Sequence, residues 1–211
     1  MRVDHVSYAA EWDGLRATAR RLGQAIGVEP VFGGVHPRFG TRNAILPLAD
    51  HRYVEVVEVL DHPASDKAPF GQAVRARSEV GGGWFAWVVA VEDIGAVGQR
   101  LGRESYEGFR RRPDGVDLRW RQLGVKGLLL DPQLPYFTQW ADPTLHPCHD
   151  GPSDARLHGL EIAGDRGRVL DWLGLPVHQV APTLELSFVA PHGSPGLLTV
   201  TFQTPSGLVT V

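Results

Sequence analysis

The run Val3-Asp4-His5-Val6-Ser7-Tyr8-Ala9-Ala10 and the residues just after it decide how this chain is read. Its apolar and β-favouring residues predict a strand, with Val3, His5 and Ser7 on one side by alternation. Leu15, Ala19, Leu22 and Ile26 then recur at helical spacing, and Gly27 stands where a left-handed residue would end the helix. Asp13 is a candidate cap, although Arg16 breaks the full capping-box pattern. Strand-like runs follow at 28–32, 43–48 and 53–60, separated by Gly-Gly and Ala-Asp-His turns.

The same order returns twice. Residues 84–91 read as a strand, Ile94, Val97 and Leu101 mark a short helix, and 116–123, 125–130 and 136–140 are candidate strands. The third round begins at 157–163, with Val169, Leu170 and Leu173 as its helix stripe and Gly174 as its stop. It closes with a strand at 184–190 and a hairpin, 197–203 turning through Thr204-Pro205-Ser206-Gly207 into 208–211. A βαβββ-like unit thus recurs at a period of roughly 70–80 residues, longer than that of solenoid repeats. Residues 61–83 and 141–154, rich in Pro with Gly or His, read as linkers.

The bulk properties narrow the classes. The 211 residues are enough for a sizeable core without staples, and 43% hydrophobic with 21% charged is ordinary globular usage. A net charge of −3 argues against a nucleic-acid binder. Cys148 is the single cysteine, which excludes an internal disulfide and fits a reducing compartment. The start has no apolar signal core, and no run approaches the ~20 apolar residues of a membrane span. A cytoplasmic protein with no membrane partner is expected.

Two residues carry the chemical argument. His5 lies in the first strand, and Glu55 lies inside Tyr53-Val54-Glu55-Val56-Val57-Glu58. A carboxylate in an apolar strand must face a wet cavity or a partner, because burying it alone is expensive. Imidazole with carboxylate is a ligand mix for zinc, manganese or iron. The other reading is that Glu55 pairs with an arginine and His5 is a hydrogen-bonded strand histidine. Arg38, in the Gly-rich stretch 33–40, or Arg42, just after it, could clamp a carboxylate or phosphate, or could simply be solvated. Arg119 and Arg121 alternate with Trp120 and Gln122, and the Trp-Gln face is expected inward. His146-Pro147-Cys148-His149 lacks the spacing of a zinc motif, and Cys148 has no identifiable base. The basic run 109–113 reads as a solvated loop. There is no nucleophile elbow, P-loop or dinucleotide fingerprint, so no nucleotide cofactor is expected.

Asp4-His5-Val6, then Gly40-Thr41-Arg42-Asn43-Ala44-Ile45-Leu46-Pro47-Leu48, then Arg52-Tyr53-Val54-Glu55-Val56-Val57, resemble the vicinal-oxygen-chelate superfamily and within it the glyoxalase-like domain group. Leu134-Pro135-Tyr136-Phe137-Thr138-Gln139-Trp140 resembles that group's closing strand. The resemblance implies an α+β fold of paired βαβββ units forming a cup-shaped mixed sheet over 1–140. A third partial unit at 155–211 packs on it. In metal-dependent members each half gives a ligand from its first and its last strand. His5 and Glu55 hold those places in the first half, as catalytic residues and ligands for a divalent Zn, Mn, Fe or Ni ion. The second half offers Ala86 and the neutral amide Gln139, with Trp84 and Trp87 nearby, and His158 sits at a similar strand start in the third unit. Arg42, Asn43, Trp87, Trp120, Gln122 and Gln139 are the expected substrate contacts. The implied function is a small-molecule binder, acting as a lyase or isomerase beside a carbonyl through His5 and Glu55. The alternative is a non-catalytic sequestering module with an aromatic lining. A homodimer is compatible with either.

Overall fold

The computed structural model describes residues 1–190 and 192–211. The first half comprises β1 (Arg2–Ala9), α1 (Leu15–Ile26), β2 (Val31–His36), β3 (Thr41–Leu48) and β4 (Arg52–Val59). Two helices follow, α2 (Pro63–Lys67) and α3 (Pro69–Glu79). The second half comprises β5 (Gly83–Ala90), α4 (Ile94–Leu101), β6 (Tyr106–Arg111), β7 (Asp117–Leu123), α5 (Gly127–Leu130) and β8 (Tyr136–Trp140). The remainder builds β9 (Arg156–Ala163), α6 (Arg166–Leu173), α7 (Val177–Val180), β10 (Glu185–Val189), β11 (Gly196–Thr204) and β12 (Gly207–Thr210).

The first eight strands close into a barrel in the order β1-β4-β3-β2-β6-β7-β8-β5. Each half pairs its first strand in parallel with its last, Ser7 opposite Glu55 in one and Val88 opposite Tyr136 in the other. The halves join antiparallel through β1 and β5, and at the far seam through Val35 opposite Arg111. The cup-shaped repeat expected from the resemblance is therefore present, closed into a barrel. The third run forms its own sheet, β10-β9-β11-β12, in which β9 pairs in parallel with the strand directly after its helix.

Local chemistry explains the elements. The buried stripe of α1 is Leu15, Thr18, Ala19, Leu22, Gly23 and Ile26, and Gly27 closes the helix at φ 71°. Asp13 is no cap. The N-cap position is Gly14, and Glu58 from β4 accepts the Leu15 N–H at 3.1 Å instead, while Asp13 pairs with Arg21. Gly102 and Gly174 end α4 and α6 in the same left-handed way.

Alternation divides each barrel strand between two cores. Val6, Ala44, Leu46, Val54, Val56, Trp87 and Val89 join the helix stripes and Leu160, Val200 and Phe202 of the second sheet. Trp84 donates its indole N–H to the Val211 carbonyl (2.9 Å), and Trp172 donates to that of Pro135 (2.7 Å), stitching the sheet to the barrel.

Four sequence expectations give way here. The presumed linker 61–83 contains α2 and α3, and α3 packs Phe70, Ala73 and Val74 against inward residues Val57, Ala86 and Val88. Residues 125–130 are not a strand, because α5 occupies most of them. The run 109–113, read as a solvated basic loop, begins inside β6, whose residues 109–111 pair with β7. Segment 141–154 also folds, with short 3-10 turns at Pro143–Leu145 and Pro147–His149.

Candidate functional site

Inside the barrel residues of β1, β2, β3, β4, β6, β7 and β8 surround a small cavity. The part open to the centre of a water molecule is only about 20 Å³, enough for one water. Polar walls come from His5, His36, Asn43, Glu55, Arg110 and Gln122, and apolar ones from Phe39, Phe70, Trp120, Tyr136 and Trp140. His5 and Glu55 therefore border one hollow.

Glu55 is 6% exposed and is solvated by protein. Ser7 donates to its Oε2 at 3.2 Å and the Asn43 amide to its Oε1 at 2.8 Å. The His36 Nε2 stands 3.6 Å from the same Oε1. Burial pushes the His36 imidazole down to about 4 despite the pull of Glu55, with Arg110 adding to the depression. At neutral pH His36 is uncharged, and its Nδ1 bonds the Thr41 hydroxyl at 2.9 Å.

Behind His5 lies a buried carboxylate, Asp4, wholly shielded from solvent. Burial alone would raise its pKa, but hydrogen bonds from His146 and His5 outweigh that and hold it well below the usual carboxylate range. The carboxylate only accepts, so His5 must donate from Nδ1 (3.0 Å) and His146 from Nε2 (3.1 Å). That leaves the other nitrogen of His5 as an acceptor at the cavity wall, where the Tyr136 hydroxyl donates to it at 3.3 Å. Tyr53 stacks on the ring at 4.3 Å and fixes its plane. Burial lifts the Tyr136 and Tyr53 phenols well above their ordinary value, so both stay protonated.

Arg110 is 1% exposed, a cation inside the barrel. Asp150 accepts from its Nη2 at 3.3 Å, but Nε and Nη1 have no protein partner. Asn43 Oδ1 and Gln122 Nε2 are buried and likewise unpartnered. Gly33 makes room for this group. It sits at a register shift between β2 and β3, and a Cβ there would lie 2.3 Å from both Arg110 Nη1 and Asn43 Oδ1.

The expected contacts divide. Asn43, Trp120 and Gln122 line the cavity with His5 and Glu55. Arg42 does not, because it points outward and pairs with Glu58. Trp87 is buried in the core between barrel and second sheet, its N–H given to the Gln133 carbonyl at 2.9 Å. Gln139 faces the other way from Thr138 and binds the start of α4 through the Glu92 carbonyl and the Ile94 N–H. Arg38 reaches the Glu107 carbonyl, and His158 lies in the second sheet beside Glu185. The guanidinium role falls to Arg110, and His36, Tyr136, Asp4 and His146 join the site without having been singled out for it. For Arg110 the signal was confined to which residues alternate with it, and the pairing of β6 decided that its face is the enclosed one. His146 and His36 offered none.

A divalent ion between His5 and Glu55 is poorly served. Both ring nitrogens of His5 and both oxygens of Glu55 are already hydrogen-bonded. From the second half, Ala86 brings no donor atom and Gln139 faces outward. His36 comes close to Glu55, but among the described residues no third His, Cys, Asp or Glu brings a ligand atom within 4.8 Å of both His5 and Glu55 with those two equally close to each other, short of the three protein ligands of a catalytic zinc. Cys148 is no ready nucleophile either, because burial pushes its thiol up to about 11. No helix is long and apolar enough to cross a membrane.

Comparison with known proteins agrees with this architecture. No curated protein matches the sequence. A hypothetical protein from Staphylococcus aureus is similar in structure over 99% of this chain and 84% of its own, at 14% identity and a TM-score of 0.60. Methylmalonyl-CoA epimerase from Mycobacterium tuberculosis aligns over 66% of this chain and 86% of its own, at 19% identity and a TM-score of 0.46. Residues 3–174 match the profile of the glyoxalase-like domain, and with the paired βαβββ barrel they make this chain a member of that family.

Proposed function

We propose that the barrel binds a small carboxylate with a carbonyl close by, and that Glu55 moves a proton at the carbon between them. The observation that carries this reading is Arg110, a buried guanidinium with two nitrogens unclaimed by protein, in the same cavity as a buried carboxylate. Buried donors seek acceptors, and a substrate oxygen is the group a guanidinium takes with most gain.

The roles follow from the hydrogen bonds. Ser7 and Asn43 fix the Glu55 carboxylate in place, and neutral His36 beside it adds no cation to weaken it as a base. Arg110 holds the substrate carboxylate or the oxygen on which negative charge develops as the proton leaves. Gln122 and its unpartnered amide nitrogen can donate to a second oxygen. Tyr136, kept protonated, donates to His5 and is oriented from behind by the chain His5–Asp4–His146, while Glu55 returns the proton it has taken. Because the space suits one water, lining side chains must move to admit a ligand. A second reading, a sequestering module, is favoured by the aromatic walls.

Proton exchange into D2O followed by NMR separates the two. Small 3-oxo carboxylates are incubated with the protein, with Glu55→Gln and with Arg110→Gln. Enzymatic exchange predicts deuterium uptake at the carbon beside the carbonyl, abolished in Glu55→Gln with binding largely kept. Binding without exchange in the parent protein selects the sequestering module, and neither binding nor exchange refutes both.

A further inference from the structure

We propose that His51, Cys148 and His149 bind one thiophilic divalent cation of the zinc class, at a site outside the barrel cavity. His51 lies in the turn between β3 and β4, and Cys148 and His149 lie in the 3-10 turn Pro147–His149. One ligand atom from each comes within 4.8 Å of the other two. They are brought together across nearly a hundred residues of chain by the folding of segment 141–154 onto the barrel.

The internal distances fit a tetrahedral ion. Cys148 Sγ stands 3.6 Å from His51 Nδ1. With metal bonds of about 2.3 Å to sulfur and 2.0–2.1 Å to nitrogen, a tetrahedral centre puts those two atoms roughly 3.6 Å apart. The His51 and His149 rings lie edge to face at 5.6 Å, leaving the space between them free of ring stacking. His51 is also held firmly. Its backbone adopts φ 55°, in the left-handed region, and Arg2 donates to its carbonyl.

The donor set selects the ion. A thiolate with two imidazoles suits zinc and other borderline-soft ions and discriminates against magnesium and calcium, which take oxygen. On binding, the Cys148 thiol gives its proton to solvent and both imidazoles ligate neutral. Three protein ligands would leave a fourth position for water, and His51 and His149 border an open cleft with Arg2, Glu92, Trp140 and His146.

The site has a consequence for the cavity. His146, next to the ligands, bonds Asp4, and Pro147 lines the cavity wall. An ion here clips the segment that carries both to the β3–β4 turn, so it orders one rim of the barrel.

Metal-free protein is titrated with Zn2+ against a chromophoric chelator, and with Co2+ while its absorption is recorded. One equivalent of each is expected, with a thiolate-to-cobalt charge-transfer band in the near ultraviolet. Cys148→Ser should lose that band. His149→Gln should keep it but weaken binding by more than the roughly 10–100-fold that loss of an outer-shell partner costs. His51→Asn, chosen because Asn tolerates the left-handed backbone, should behave like His149→Gln. These side chains are at or near the surface, and matching melting temperatures of the metal-free forms check that the variants are folded. The proposal falls if neither ion binds stoichiometrically, if cobalt gives no thiolate band, or if the three variants bind as the parent does. It falls equally if binding is lost only in His5→Asn or Glu55→Gln, which would put the ion in the barrel.

Discussion

Replacing Asp150 by Asn tests whether Arg110 is a buried cation held by a single carboxylate. The two side chains are 5% and 2% exposed, and their contact is 3.3 Å. The other Asp150 oxygen accepts from Arg112, which is partly exposed and can be rehydrated. Arg110 cannot, because its remaining nitrogens face the cavity without protein partners. Removing one partner of a buried pair costs about 3–5 kcal/mol, and a contact this long points to the lower end, about 3. Removing the charge as well should reverse most of it, since a buried ion pair and an apolar replacement of similar volume are often close in energy. Arg110→Met with Asp150→Asn should therefore be more stable than Asp150→Asn alone by about 2 kcal/mol, a coupling that urea denaturation at pH 7 resolves across the double-mutant cycle. If Asp150→Asn costs under about 1 kcal/mol, or the double variant is no better than the single, the guanidinium is not stranded and the case for a substrate anion weakens with it.

Acid should act through His36, whose imidazole sits near 4 when folded against 6.5 as the ordinary value. Between those values the unfolded chain binds a proton that the folded chain refuses. Stability therefore falls as pH drops from 6.5 to about 4, by about 3 kcal/mol at most, and His36→Gln should flatten that part of a denaturation-against-pH curve. Gly33→Ala places a methyl where Arg110 Nη1 and Asn43 Oδ1 already stand, each at 2.3 Å. It should cost about 1–3 kcal/mol in thermal or urea unfolding and weaken carboxylate binding, whereas an unchanged affinity would mean the guanidinium is not the anchor.

Much of the fold was legible because its signals are local. The stripe Leu15, Ala19, Leu22 and Ile26 with Gly27 behind it needs no other part of the chain to be read, and the helix ends there. The same holds for Gly174 and for the hairpin closing the chain. Reading failed where tertiary contacts overrode composition. Phe109-Arg110-Arg111-Arg112-Pro113 is basic enough to pass for a loop, yet its first three residues pair with β7 and Arg110 is buried. Asp61 to Gly83 has the prolines of a linker, but Pro63 and Pro69 stand at the first turns of helices, where their missing N–H costs nothing.

The site divides along the same line. From residue order alone came the repeated strand–helix unit, His5 and Glu55 on its first and last strands, and the inward preference of Trp120 and Gln122. Barrel closure alone decided that Arg110, His36 and Tyr136 share their hollow, and that His146 reaches Asp4 across 142 residues. It also turned Arg42, Trp87 and Gln139 away. The physical reason is that a strand's own pattern states which residues share a face, whereas which face is enclosed, and by what, depends on pairing partners far away in the chain.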